Sequence, residues 1–131
     1  MAEVSKMTLW IAGIGLVWNL IGLAAFVNQM VMDTSGLPDL QRTFHDTMPL
    51  WAKVAFGAAV IMGVVGCAAL LTGQSWAWMA LTISLIGIVL QNLHSFALSN
   101  GLEAFGPSAV AMPLVVFAIA VYLLFYSRSI A

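Results

Sequence analysis

Residues 49–99 read PLWAKVAFGAAVIMGVVGCAALLT-GQS-WAWMALTISLIGIVLQNLHSFALS. On either side of Gly73, Gln74 and Ser75 lies an apolar run, 49–72 and 76–99, and the only charge in either is Lys53 near the start of the first. An α-helix rises ~1.5 Å per residue, so ~20 residues cross the ~30 Å hydrocarbon core of a bilayer. Both runs are long enough. In hydrocarbon every backbone N–H and C=O must be satisfied within the segment, which selects the helix for runs of this kind. Three residues cannot cross a membrane, so the two helices must be antiparallel neighbours. Gly73 suits the left-handed position just past a helix end, and Ser75 suits an N-cap.

Two further runs flank this hairpin, 7–32 and 107–126. The segment from Asp33 to Met48 is polar and longer than a turn. Within it Leu37, Leu40, Phe44 and Met48 recur at helical spacing, and Pro38 can open a helix. The spacing predicts a short amphipathic helix over 37–48, lying on the membrane surface and leading into the second span at Pro49. Turn-forming residues from Asn100 to Gly106 join the third run to the fourth. The expected fold is all-α: a membrane-embedded four-helix bundle, one domain over 1–131, with the amphipathic helix between spans one and two.

Composition agrees. Of 131 residues, 63% are hydrophobic and 7% charged, against about 25% charged in a soluble domain. A surface this apolar implies lipid as the solvent. Four basic and five acidic residues give a net charge of -1, without the basic excess that nucleic acid demands. The single cysteine, Cys67, excludes an internal disulfide and a two-thiol redox reaction, and its place in an apolar run suits a small core residue. The first run is too long for a signal-peptide core and no small-residue cleavage site follows it, so it is read as a permanent span.

Aromatic residues mark the span ends. Trp10, Trp76, Trp78 and Tyr126 fall on one face of the four-span topology and Trp51 on the other, as in an interfacial belt. Lys6 and Arg128 share the first face; Arg42 and Lys53 share the second, with Asp33, Asp39, Asp46 and Glu103. The short termini and uncharged hairpin turn suit the cytoplasmic side, so both termini are expected there.

The spans are not uniformly apolar. Asn19 lies in the middle of the first, Asn28 and Gln29 toward its outer end, and Asp33 beyond it. Gln91, Asn92, His94, Ser95 and Ser99 lie toward the outer end of the third. At about 100° per residue, Ser84, Gly87, Gln91, His94 and Ser95 share one sector. Polar groups at membrane depth turn inward or line a cavity. A polar pocket opening beside the 33–48 loop is therefore expected, with Asn28, Gln29, Gln91, Asn92, His94 and Ser95 as ligand-binding candidates. Asp33 and Lys53 are candidate electrostatic partners there. Each residue also has a plainer role: amides tie helices together, a histidine packs at the interface, Lys53 snorkels to headgroups, Asn19 joins helices. Pro113 suggests a kink in the fourth span. Ala55, Ala59, Gly63 and Cys67 form a small-residue stripe for close packing. At an offset of 64, Met48-Pro49-Leu50 matches Met112-Pro113-Leu114 and Asn28 matches Asn92. A true repeat would place the two asparagines equivalently; chance in an apolar chain is the simpler account.

No carboxylate lies mid-span, no two histidines face each other for haem, and no His/Glu set has metal-ligand spacing. No nucleophile stands beside a base. No cofactor, metal or catalytic residue is expected, and an enzyme is not.

The segments Leu9-Trp10-Ile11-Ala12-Gly13 and Trp18-Asn19-Leu20-Ile21-Gly22, then Pro49-Leu50-Trp51 and Ala111-Met112-Pro113-Leu114, carry a resemblance. Together they resemble a family of small four-span bacterial inner-membrane proteins of unestablished mechanism, often labelled sugar transporters. An acidic residue follows the Trp-Asn-x-x-Gly motif in such proteins, whereas this chain has Leu23-Ala24-Ala25-Phe26. The foremost expectation is a protein that binds or transports a small polar neutral solute as a homo-oligomer. The alternative is an accessory or assembly subunit of a larger membrane complex, and the third is a lipid- or quinone-binding protein. In each, membrane lipid is a partner.

Overall fold

A computed structural model describes residues 4–33, 35–98, 106 and 111–130. Among them it contains helices and no strand: α1 (Lys6–Val31), α2 (Asp39–Asp46), α3 (Leu50–Leu71), α4 (Ala77–Leu93) running into a π-helical turn (His94–Leu98), and α5 (Ala111–Ile130). Four of these helices are long and apolar enough to cross a membrane: Lys6–Val31, Leu50–Leu71, Ala77–Ala97 and Ala111–Ile130. A helix occupies each of the four expected apolar runs and the segment expected to be amphipathic. The end of the third span at 99, its Asn100–Gly106 connection apart from Gly106, and the start of the fourth at 107–110 lie outside the described residues. So does residue 109, the carbonyl that Pro113 would free.

Local chemistry sets the helix ends. Ser5 caps α1, its Oγ accepting the Thr8 N–H at 3.1 Å. Pro38 and Pro49 stand immediately before α2 and α3, where the missing N–H is no loss, and their carbonyls accept the first helical bonds, from Arg42 and Lys53. Helix α3 ends in a Schellman turn. Gln74 N–H donates to Ala69 O at 2.9 Å, Gly73 N–H to Leu70 O at 3.2 Å, and Gly73 takes φ 73°. That turn continues through Ser75, so the residue preceding α4 is Trp76, without a side-chain cap. Ser75 lies one position too early for the capping role expected of it.

Helix α3 packs against both α1 and α4, and α5 packs against α4. The buried face of α3 is its small-residue stripe, Ala52, Ala55, Ala59, Gly63 and Cys67. Without bulky side chains in between, the α3 and α4 backbones nearly touch: a Cβ on Gly87 would lie 2.6 Å from Ala55 O and 3.0 Å from Ala59 N. Ser84 Oγ donates across the same seam to Ala59 O at 2.5 Å. Cys67 is fully buried, as expected of a core residue.

At the end holding the chain termini, Thr8 Oγ1 and Tyr126 OH share a 2.5 Å hydrogen bond, and the Arg128 guanidinium lies 4.4 Å from the Trp78 ring centre. Of the aromatics expected on one face, Tyr126 and Trp78 make these contacts, while Trp10 and Trp76 are exposed. One turn and more inward, Leu123 of α5 lies beside Gly15 of α1. Toward the opposite end α1 and α5 part.

Candidate functional site

The parting of α1 and α5 opens a cleft of about 370 Å³ on the side of the molecule. Its walls are Trp18, Ile21, Gly22 and Ala25 of α1 and Met112, Pro113 and Val116 of α5; its floor is Phe56, Ala59 and Val60 of α3 with Ile88, Gln91 and Asn92 of α4. This volume falls in the range of small-molecule sites, ~300–1,000 Å³, and such sites are mostly apolar with a few polar groups that fix orientation. Here those groups are three amides: Asn19, Gln91 and Asn92.

Asn19 is held from two sides. Its Nδ2 donates to Gly15 O at 2.8 Å, one turn back, and lies 3.6 Å from Cys67 Sγ on α3. Its Oδ1 lies against Gly63, where any Cβ would overlap it. The expected role of joining helices is visible in this contact. The same residue also lines the cleft and a cavity of about 20 Å³ beneath it, shared with Ser84 and Leu123, which is room for about one water molecule. Gln91 and Asn92 are half-buried, and their side-chain amides make no hydrogen bond to another described residue.

The remaining candidates lie elsewhere. Asn28 is exposed and lines neither this cleft nor the cavity at the outer end, whereas Asn92 is half-buried in the cleft floor. The two asparagines paired by the offset of 64 thus sit in unlike surroundings. Gln29 belongs to a second cavity of about 410 Å³ at the outer end of α1, lined also by Met30, Met32, His45, Asp46, Met48 and Lys53. Its Nε2 lies 3.6 Å from Met48 Sδ. Asp33 is fully exposed and closes a turn of its own, accepting the Ser35 N–H at 3.0 Å; that bond holds its carboxyl below the usual carboxylate pKa. Burial pushes the His45 imidazole pKa down, with the Asp46 charge opposing in part.

His94 sits in a third environment. Its ring lies 5.7 Å from Phe44 of α2 and 5.6 Å from Trp51 at the start of α3, and 5% of the residue is exposed. Its Nδ1 has no hydrogen-bond partner among the described residues. Phe44, Met48 and Ala52 form a small apolar cluster beside it. So α2 does not merely rest on the surface. Its apolar side docks on His94 and covers the outer end of the α3–α4 pair. Ser95, in the π-helical turn, is half-buried.

The candidates are therefore divided: amides in the lateral cleft, charged groups in the outer cavity, and His94 within aromatic packing. Asn19 is the cleft residue for which the sequence reading favoured helix joining over ligand binding, and it lines the cleft as well. Among the described residues no group of three or more His, Cys, Asp or Glu side chains could hold a metal ion. The chain matches no protein-family model, no curated protein and no solved structure.

Proposed function

We propose that the four long helices cross a bacterial inner membrane as a bundle, with both termini cytoplasmic, and that the chain binds an amphiphile. The apolar part of that ligand enters the cleft between α1 and α5 from the side. Its uncharged carbonyl or hydroxyl groups meet Asn19, Gln91 and Asn92. One observation carries the reading: amides grouped on the wall of a cleft that is otherwise apolar and opens laterally. A lateral opening in a membrane faces acyl chains, and in lipid an amide without a protein partner is expensive. Large apolar side chains exposed on all four long helices, among them Trp10, Val54, Ile86 and Phe125, support the membrane setting. Side-chain amides do not titrate near neutral pH, so the cleft suits binding or passage and not acid–base catalysis.

The test is extraction of bound molecules from the full-length protein purified in mild detergent, followed by mass spectrometry. A stoichiometric amphiphile is expected from the native chain. It should be lost from Ala25→Trp, which fills the cleft from an exposed position, and weakened in Gln91→Leu with Asn92→Leu. Equal recovery from native and A25W protein overturns the reading. The same three amides also suit a small hydroxylated solute carried by a homo-oligomer; solute flux in proteoliposomes that A25W abolishes, with no amphiphile retained, favours that second reading.

A further inference from the structure

The outer cavity lies one helical turn beyond the cleft on two of the same helices. Gln29 follows Ala25 on α1 by four residues, and Lys53 precedes Phe56 on α3 by three, a rise of about 5–6 Å. The cleft is lined by apolar groups and amides; the outer cavity brings together one carboxylate, Asp46, and one ammonium, Lys53. Lys53 is half-buried, and no ion pair joins it to another described residue. His45 is biased toward its neutral form by burial. The charge of the cavity thus sums to zero, but its two signs stand on different elements, the end of α2 and the first turn of α3. Gln29 directs its amide N–H at the Met48 sulfur, a weak acceptor, which leaves its carbonyl oxygen for a donor.

We propose that this outer cavity takes the zwitterionic headgroup of a phospholipid, with the phosphate on Lys53 and the ammonium group on Asp46 and the Gln29 carbonyl. The proposal rests on the reading that the lateral cleft holds the apolar part of the ligand, and it names the class of that ligand. A zwitterion complements paired opposite charges at no net cost. An anionic headgroup brings a phosphate for Lys53 but no cation for Asp46 and the Gln29 carbonyl, so it makes one of the two charge contacts and forgoes the other. Lipid is the source the position favours, because Gln29 and Lys53 stand one turn beyond the cleft residues Ala25 and Phe56, toward the polar end of α1 and α3.

The experiment is native mass spectrometry of the full-length protein titrated with phosphatidylethanolamine, phosphatidylcholine, phosphatidylglycerol and diacylglycerol of identical chains, and with soluble phosphoethanolamine. Phosphatidylethanolamine should bind in preference to phosphatidylglycerol by about tenfold, the worth of one charge-assisted hydrogen bond, and phosphatidylcholine, whose quaternary ammonium has the charge but no N–H to donate, should fall between the two. Lys53→Gln should lower their binding by a similar factor while leaving diacylglycerol binding unchanged. Asp46→Asn should move the preference toward phosphatidylglycerol. Equal binding of all three headgroups, or selectivity unaltered in both variants, overturns the headgroup site and leaves the cleft reading standing. No binding of any lipid, diacylglycerol included, overturns both. Phosphoethanolamine binding as tightly as the intact lipid overturns the assignment to lipid. Both variants change outer-end residues, so an unaltered melting temperature separates lost binding from lost folding.

Discussion

Replacing Gly87 by alanine should loosen the centre of the molecule. The added Cβ would lie 2.6 Å from Ala55 O, 3.0 Å from Ala59 N and 3.2 Å from Ala59 Cα. All three are backbone atoms of α3, so no side-chain rotation can make room, and the helices must move apart by about 0.8 Å to restore ordinary contact. A gap of that size forfeits about a quarter to a half of the dispersion energy along the seam. It also stretches the 2.5 Å bond from Ser84 Oγ to Ala59 O to about 3.3 Å, past the usual range for a hydroxyl donor. Overpacking costs about 1–3 kcal/mol, and the rigid surroundings place G87A near the upper end. Alanine returns ~1 kcal/mol of helix propensity, so the net loss is about 2 kcal/mol. For a chain of this size that lowers the melting temperature by roughly 8 °C. Cys67 supplies the assay, being the sole cysteine and fully buried: a thiol-reactive fluorogenic dye in detergent micelles reports the temperature at which the core opens. Gly13→Ala is the control, since nothing lies within 4 Å of its Cβ position, and it should melt at or slightly above the native temperature. The reasoning fails if G87A melts no lower than the native protein, or if G13A falls as far.

Three further outcomes follow from the same contacts. Ser84→Ala should cost about 0.6 kcal/mol, the average for a hydrogen bond between helices in a membrane. Combined with G87A its effect should be less than additive by the same thiol melt, because the first change already weakens the bond. Phe44→Ala should free α2 locally: hydrogen exchange should speed up across 39–46 while the Cys67 melt stays within about 0.5 kcal/mol of native. Docking of α2 should also weaken on acidification. The docked state holds the His45 pKa below its ordinary 6.5, so the undocked state binds more protons as pH falls below 6.5. The lost stability then levels off once pH passes the depressed value. Protection of 39–46 against hydrogen exchange, taken relative to the intrinsic rate of an unfolded chain at each pH, should therefore be lower at pH 5 than at pH 7.5, with a smaller difference in His45→Gln; an unchanged difference refutes this linkage.

The long helices were legible because span length and burial are written in local composition. The helix-opening prolines and Gly73 were legible because each acts through its own backbone. The cleft was not, because it depends on the angle between α1 and α5, which Thr8–Tyr126 and Gly15–Leu123 set at one end only. The polar sector of α4 was legible in part. Ser84 and Gly87 face α3 as the 100° rule requires, but the π-helical turn at His94 winds the chain more widely. Beyond Leu93 the sector no longer tracks one face, and His94 meets α2 while Gln91 lines the cleft. Asn28 is exposed for another reason. Near a helix end an amide can reach headgroups or water, so the rule that polar groups turn inward loses its force.

The bond from Asn19 to Gly15 has a consequence for biosynthesis. The cross-helix neighbours of Asn19, Gly63 and Cys67, follow it by more than forty residues, so in a chain made from its N-terminus α1 is complete long before α3 exists. An amide in the middle of a newborn span would ordinarily resist transfer into lipid. By donating to its own helix at 2.8 Å, Asn19 shields part of its polarity from the start. In the proposed membrane setting, the first helix can then wait in the bilayer without a companion and still present the remaining face of the amide when α3 arrives.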